Sequence, residues 1–318
     1  MEELLSGRVE TPEIVRLLEA LNRRPIEVQE LAGFASVMRR HAARVFPEGE
    51  ARPANMVDTC GTGGDGANTF NISTAAAIVA AAAGARVAKH GNRAASSRSG
   101  SADVLEALGV RIDLPFELYG RAIREIGIGF LFAQAAHKAT RHAAPARKQV
   151  GVRTVFNLLG PLTNPAGAQS QVLGVFSEDV IDVVAGTLAE LGVERAFVVH
   201  GAGGLDEISL AGETLVAEVR GGAVRRFTVT PEDFGVERAP LEAIRGATAA
   251  ENAALIEGIL EDETGPGRDI VVVNAAAALV AAGVADNLRQ AAGLASFVIS
   301  SGAASEKLAK LAAFTSEN

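Results

Sequence analysis

The chain has 318 residues, 48% of them hydrophobic and 21% charged, enough for one large domain or two around a substantial core. A net charge of -8, no Trp and a single Tyr argue against a general polyanion binder and against a surface that reads nucleic acid by stacking bases. Cys60 is the one cysteine, so no intramolecular disulfide can form and secretion receives no support.

The N-terminal MEELLSGRVE is acidic and lacks the basic-then-apolar plan of a signal peptide. Residues 1–47 read as helices. ETPEIVRLLEALNRR carries Ile14, Leu17, Leu18 and Leu21 at helical spacing, and VQELAGFASVMRRHA repeats the period. FPEGEARPAN, with Pro47 and Pro53, is the expected connection out of that region.

From residue 55 short β-branched runs alternate with alanine-rich helical stretches. The series runs through RVAKH (86–90), VLEALG (104–109), VLGVF (172–176), VIDVVAGTLAELG (180–192), AFVVH (196–200), DIVVV (269–273) and NAAAALVAAG (274–283). That alternation predicts an α/β fold with a central, largely parallel sheet, beside a small all-helical part. ETLVAEVRGGAVRRFTV (213–229) predicts an antiparallel hairpin about Gly221 and Gly222. The apolar stretches 75–85 and 270–285 fall short of a membrane span, and Asn274 interrupts the second. The expectation is a cytoplasmic protein with neither a membrane nor a nucleic-acid partner.

Charge is unevenly spread. No acid lies between Asp65 and Asp103, where Arg86, Lys89, Arg93 and Arg98 fall. None lies between Glu125 and Glu178, where Lys138, Arg141, Arg147, Lys148 and Arg153 fall. Two basic windows in an acidic chain, both rich in small residues, predict an anion cavity.

The stretch DTCGTGGDGANTFNISTAAAIVAAAAGA (58–85) sets a glycine loop against an apolar helix. It contains a formal G-x-G-x-x-G. The following strand RVAKH has a cation where a dinucleotide fold needs an acid, and no Gly-Lys-Ser/Thr closes a P-loop. Glycines still let backbone N–H groups approach a ligand and form an anion nest. A helix beginning near Ser73 adds its unpaired N–H groups and positive dipole end. Asn71, Ser73 and Thr74 can cap that helix or donate to a phosphate. Asp65 would repel a phosphate, unless it accepts from sugar hydroxyls or a metal intervenes, which points to a ligand with both ribose and phosphate. Farther on, the strand AFVVH empties into GAGGLDEISL with adjacent Asp206 and Glu207. An acid pair at a strand end is either an exposed loop or a Mg²⁺–diphosphate site.

GTGGD (61–65), NIST (71–74), KHGNRAASSRSGSADVLEALG (89–109), ARKQVGVRTVFNLLGPLTNP (146–165) and LDEISL (205–210), in order and correctly spaced, resemble the anthranilate phosphoribosyltransferase family of the tryptophan pathway. The resemblance runs from about residue 5 to about 312. It implies transfer of the phosphoribosyl group of 5-phosphoribosyl 1-diphosphate to the amine of anthranilate, with Mg²⁺, by a homodimer. It implies a helical domain (1–50, joined by helices from about 140–160), an α/β domain (51–139 and 161–318), and an active site between them.

Carried over by position, Gly61, Gly63, Gly64, Asp65, Thr69, Asn71, Ser73, Thr74, Lys89 and Ser101 are expected at the phosphoribosyl diphosphate. Residues 95–101 are expected as a lid over it. Asp206 and Glu207, with Ser73, are expected to hold Mg²⁺, two ions in all. Gly61, His90, Asn92, His137, Arg147, Gly160 and Pro161 are expected at anthranilate. No acid–base residue is expected; Lys89, Asp206 and Glu207 act electrostatically. Pyrimidine nucleoside phosphorylases share the architecture but carry a Lys-His-Ser type segment where this chain has Lys89-His90-Gly91-Asn92. A non-catalytic nucleic-acid-binding paralogue is disfavoured by the acidic charge. Two departures from the family stand out: Lys138 replaces the usual proline after His137, and the first helix is expected to be short or absent.

Overall fold

A computed structural model describes residues 1–94 and 98–318. Thr11–Asn22 and Val28–Arg40 are helices, as their periodicity predicts. Pro12 fits the first turn of one, where a missing N–H costs nothing. Glu30 accepts the backbone N–H of Glu27 at 3.1 Å at the head of the other. Ile14, Val15 and Leu18 turn inward, whereas Leu17 stays 43% exposed. The first helix spans only Glu2–Leu5.

The centre is a seven-stranded sheet of Met56–Gly61 (β1), Arg86–Gly91 (β2), Ile128–Phe132 (β3), Ser170–Gly174 (β4), Arg195–Gly201 (β5), Thr214–Arg220 (β6) and Ala223–Val229 (β7). Its order is β3-β2-β1-β4-β5-β6-β7. β3 through β5 pair in parallel, and β6 and β7 add an antiparallel margin. Gly221 and Gly222 both take positive φ in the hairpin turn, as a two-residue connection of the right twist requires. The chain winds outward from β1 through β2 to β3, then returns to place β4 on the other side of β1. The strand order therefore reverses between β1 and β4, and a ligand crevice is expected at their carboxyl ends.

Both sheet faces are covered. Alanine-rich helices Ile72–Ala82 and Pro266–Ala281 pack together on one face, their small side chains permitting close approach. The other face is covered by Ile181–Glu190, the N-terminal helices and residues 143–162 in one apolar cluster. Helix Thr11–Asn22 packs on helix Ala144–Val150 within it. The outer strand β7 is largely exposed and carries Arg225 and Arg226. No helix among the described residues is long and apolar enough to cross a membrane.

DIVVV (269–273) is not a strand. It lies inside helix Pro266–Ala281, with Ile270, Val271, Val272 and Val273 all buried. A helix buried all round has no amphipathic period, so a β-branched run inside it reads as a core strand. VLEALG, by contrast, belongs largely to helix Ser101–Ala107, in keeping with the alternation.

Asn274, in the same buried helix, is a tether. Its Oδ1 accepts the Ile208 N–H at 2.9 Å, and its Nδ2 donates to the carbonyls of Ile208 (3.0 Å) and Ile270 (2.9 Å). It thus pins the loop bearing Asp206 and Glu207 to the core. Asn274→Leu would strand two buried backbone groups, and a loss of about 2–4 kcal/mol is expected from urea unfolding of the metal-free protein. An unchanged midpoint would show that the loop is held by other means.

Candidate active site

β1 ends at the switch point in the glycine loop. Thr62 N–H donates to the Gly174 carbonyl at 2.8 Å, and its Oγ1 accepts the Phe176 N–H at 3.0 Å, so the loop leaves β1 stitched to the end of β4. Gly63, Gly64 and Gly66 have φ of 66°, 74° and 77°, a region that disfavours side chains. The Gly64 carbonyl accepts from Arg153, whose guanidinium also lies over the Phe176 ring.

The acid pair packs directly on this loop. A Cβ at Gly174 would overlap the Asp206 carbonyl oxygen, and one at Gly61 would collide with Asp206 Oδ2. That same Oδ2 accepts the Gly63 N–H at 2.8 Å. An internal carboxylate therefore occupies one donor of the expected anion nest. Asp65 lies alongside, its Oδ1 accepting Ala67 N–H at 3.1 Å and its Oδ2 accepting Asp206 N–H at 3.4 Å.

Glu207 meets the helix N-terminus. Its Oε1 accepts the Ser73 N–H at 3.1 Å, a favourable place for an anion. Asn71 and Thr74 do not cap. The Asn71 side chain donates to the Ser99 carbonyl and accepts from Ser99 Oγ and Asn252 Nδ2. Thr74 Oγ1 is buried with no partner among the described residues. Lys89 is buried beneath, donating to the Thr59 carbonyl at 2.6 Å and Ser73 Oγ at 3.3 Å. Burial lowers its pKa, while the charges of Asp58, Glu207 and Asp206 oppose that shift.

Desolvation pushes Asp206 up to about 7, with the Asp65 charge adding to it. Desolvation and the Asp206 charge push Glu207 up to about 8. Among the described residues no three His, Cys, Asp or Glu form a ready-made metal cage. Two crowded carboxylates beside an anion nest nevertheless suit Mg²⁺, which takes one or two carboxylates and completes its shell with water and substrate phosphate.

Beside the glycine loop lies a cavity of about 390 Å³. Gly61, Gly63, Gly64, His90, Asn92, His137, Arg147, Gly160 and Pro161 all line it, so the structure brings together every residue expected at the aromatic acid. Met38 and Phe156 add apolar wall; the sequence reading singled out neither, Met38 because it falls within an ordinary helical period. Among the described residues no Asp or Glu lines the cavity. The Arg147 guanidinium lies over the Phe156 ring, 5.2 Å from its centroid; desolvation lowers its pKa.

His90 and His137 meet edge-to-face at 5.3 Å. Burial and the neighbouring His137 press His90 down to about 3, and burial takes His137 to about 4, so both rings are neutral at physiological pH. Asp58, another residue the sequence reading passed over, is buried in β1 and accepts the His90 N–H at 3.0 Å. Lys138 is exposed and does not reach the cavity wall, although His137 and Thr140 on either side do.

The remaining expected residues lie outside that wall. Asp65, Asn71, Ser73, Thr74, Lys89, Asp206 and Glu207 form the acid pair's surroundings described above. Thr69 bridges Arg245. Ser101 is hydrogen-bonded to Asn92: its Oγ accepts the Asn92 N–H at 3.1 Å and donates to the Asn92 carbonyl at 3.2 Å. Of the expected lid, residues 95–97 lie outside the described residues.

The glycosyl transferase family a/b domain matches residues 53–305. Anthranilate phosphoribosyltransferase of Pelotomaculum thermopropionicum is 52% identical over 315 residues, covering 99% of this chain and 90% of that relative. The chain belongs to the anthranilate phosphoribosyltransferase family. Within it, the crystal structure of the Thermus thermophilus anthranilate phosphoribosyltransferase superposes with a TM-score of 0.92 at 48% identity, covering 99% of this chain and 93% of that one. The Saccharomyces cerevisiae anthranilate phosphoribosyltransferase in complex with PRPP and Mg superposes with a TM-score of 0.87 at 30% identity, covering 97% and 86%. Neither the phosphorylase nor the nucleic-acid alternative gains support from these likenesses.

Gly174→Ala forces the Asp206 main chain away from β4, and a loss of about 3 kcal/mol or more is expected. Denaturant unfolding checks this, and an unaffected midpoint would refute the close packing. The acid pair sets a pH dependence. A carboxyl with a raised folded pKa contributes stability fully present below the ordinary carboxylate range and lost as pH rises through the folded value. From about pH 4 to pH 8, metal-free wild type is expected to lose melting temperature relative to Asp206→Asn/Glu207→Gln, and Mg²⁺ at pH 8 is expected to restore it in wild type only. Parallel pH curves for the two proteins would show that neither carboxyl is raised, and an equal Mg²⁺ response in both would remove the pair from the metal site.

Proposed function

We propose that the chain transfers the phosphoribosyl group of 5-phosphoribosyl 1-diphosphate to the amine of anthranilate, releasing diphosphate, in tryptophan biosynthesis. The observation that carries this reading is the cavity: a partly apolar wall with Met38 and Phe156, no carboxylate among its described lining residues, and Arg147 held over Phe156, opening onto a glycine loop with an acid pair. A flat acid with a negative carboxylate suits such walls, and a guanidinium fork pairs well with that group. The relatives named above carry the same activity in their names.

Asp206 and Glu207, with Ser73, are the residues that would hold Mg²⁺, two ions in the full complex. Bound there, Mg²⁺ supplies charge neutralisation to the departing diphosphate. Gly61, Gly63, Gly64, Asp65, Thr69, Asn71, Ser73, Thr74 and Ser101 surround the sugar donor in this reading. For the nest to take a phosphate, the Asp206 carboxylate leaves the Gly63 N–H, which then donates to the ligand. Lys89 acts from beneath through its field, since its ammonium is already engaged by Thr59 and Ser73.

As the bond from the sugar C1 to diphosphate oxygen breaks and its electron pair leaves with the diphosphate, the aryl nitrogen forms the new bond from the opposite side with inversion. Holding the amine in line behind C1 supplies much of the rate. The nitrogen's proton passes to solvent, because His90 at about 3 and His137 at about 4 are poor proton acceptors at neutral pH.

The same reading makes residues 1–50 with about 140–160 one domain, and 51–139 with 161–318 the other. The packing of helix Thr11–Asn22 on helix Ala144–Val150 supports that grouping. It also makes the protein a cytoplasmic homodimer.

The reading is tested with Arg147→Ala. Loss of a hydrogen bond to a charged group is expected to weaken anthranilate use by about 10- to 100-fold, with binding of the sugar donor unchanged. Calorimetric titration of both ligands checks it, and equal losses would sink the assignment.

A further inference from the structure

β2 and β3 run side by side, with Gly91 in register with Phe132. The residues that follow their ends, Asn92 and Gln134, both line the cavity. Asn92 Oδ1 accepts the backbone N–H of Arg93 at 2.8 Å and Gln134 Nε2 at 3.2 Å. A main-chain N–H can only donate, so the atom facing Arg93 has to be the amide oxygen, and the usual two-fold ambiguity of an asparagine is removed. What remains is the NH₂ group, which has no protein acceptor among the described residues.

We infer that Gln134 is a positioning residue: it holds the Asn92 amide by its oxygen and leaves the NH₂ for the carboxylate of the acceptor substrate. This rests on the reading above, in which the aromatic acid lies in the cavity with its carboxylate at Arg147, and extends that carboxylate's reach to Asn92. The neighbouring Arg93 N–H fixes one side of the Asn92 oxygen, and Gln134 fixes the other. Gln is suited to the position because its amide donates without bringing a charge. Glutamate there would set an acceptor against an acceptor and add a negative charge beside an anionic ligand. Gln134 lies just past the end of β3, away from the apolar core clusters, so its replacement leaves the core intact.

Steady-state kinetics followed by anthranilate fluorescence, in wild type, Gln134→Met, Asn92→Ala and the double variant, tests the inference. Gln134→Met keeps the length and removes the donor. Loss of one neutral hydrogen bond is expected to raise the KM for anthranilate by about 3- to 10-fold, with kcat and the KM for the sugar donor unchanged. Gln134→Glu is expected to raise it further.

In the Asn92→Ala background Gln134→Met is expected to add nothing, because its effect runs through the amide that is gone. An unaltered anthranilate KM in Gln134→Met, or the same increment in both backgrounds, overturns the inference while leaving Asn92 in the site. If Asn92→Ala itself leaves that KM unmoved, the carboxylate reading of Asn92 fails and the inference falls with it.

Discussion

The glycine-loop end of the site depends on a close backbone approach. The Asp206 main chain lies where a side chain at Gly174 would be, and its carboxylate lies against Gly61 while accepting the Gly63 N–H. Because β1 and β4 are neighbours at the switch point, this single approach brings the glycine loop and the acid pair, more than 140 positions apart in sequence, within hydrogen-bonding range. Asn274 holds the far side of the same loop. The two acids are thus kept crowded by covalently distant anchors, at an electrostatic cost that a divalent cation would relieve in the proposed reading.

The cavity beside the glycine loop follows the opposite electrostatic rule. Its described wall contains no carboxylate, its two imidazoles are neutral through burial, and Arg93 is already engaged by Asp103 and Glu106. Arg147 has an aromatic ring beneath it and no acid partner among the described residues. In the proposed reading, a site that crowds negative charge at one end and leaves a cation unanswered at the other would separate two unlike ligands by electrostatics as well as by shape.

Much of this was legible in the chain. The glycine loop, the acid pair, the GG hairpin and the two acid-free windows are local patterns, and local patterns survive being read one stretch at a time. Residues from both windows do meet at the cavity: His90, Asn92 and Arg93 from one, His137 and Arg147 from the other. What escaped reading was set by long-range packing. DIVVV has the composition of a core strand, and only its burial on every side within Pro266–Ala281 makes it a helix. Asn274 read as an interruption because its partner, Ile208, is 66 positions away. The capping alternative for Asn71 failed for a similar reason: Ser99 and Asn252 compete for its amide, and Glu207 takes the neighbouring Ser73 N–H. Asp58 gave no sign of supporting His90, since that contact crosses two strands.

The outermost ribbon, β7, has a further consequence. An open strand margin invites another ribbon to pair with it, yet Arg225 and Arg226 stand along this one, with Arg226 held by Asp182 and Arg225 by Glu218. Docking a second copy of this margin there would bring like cations close together. Growth of the sheet from molecule to molecule is thereby discouraged.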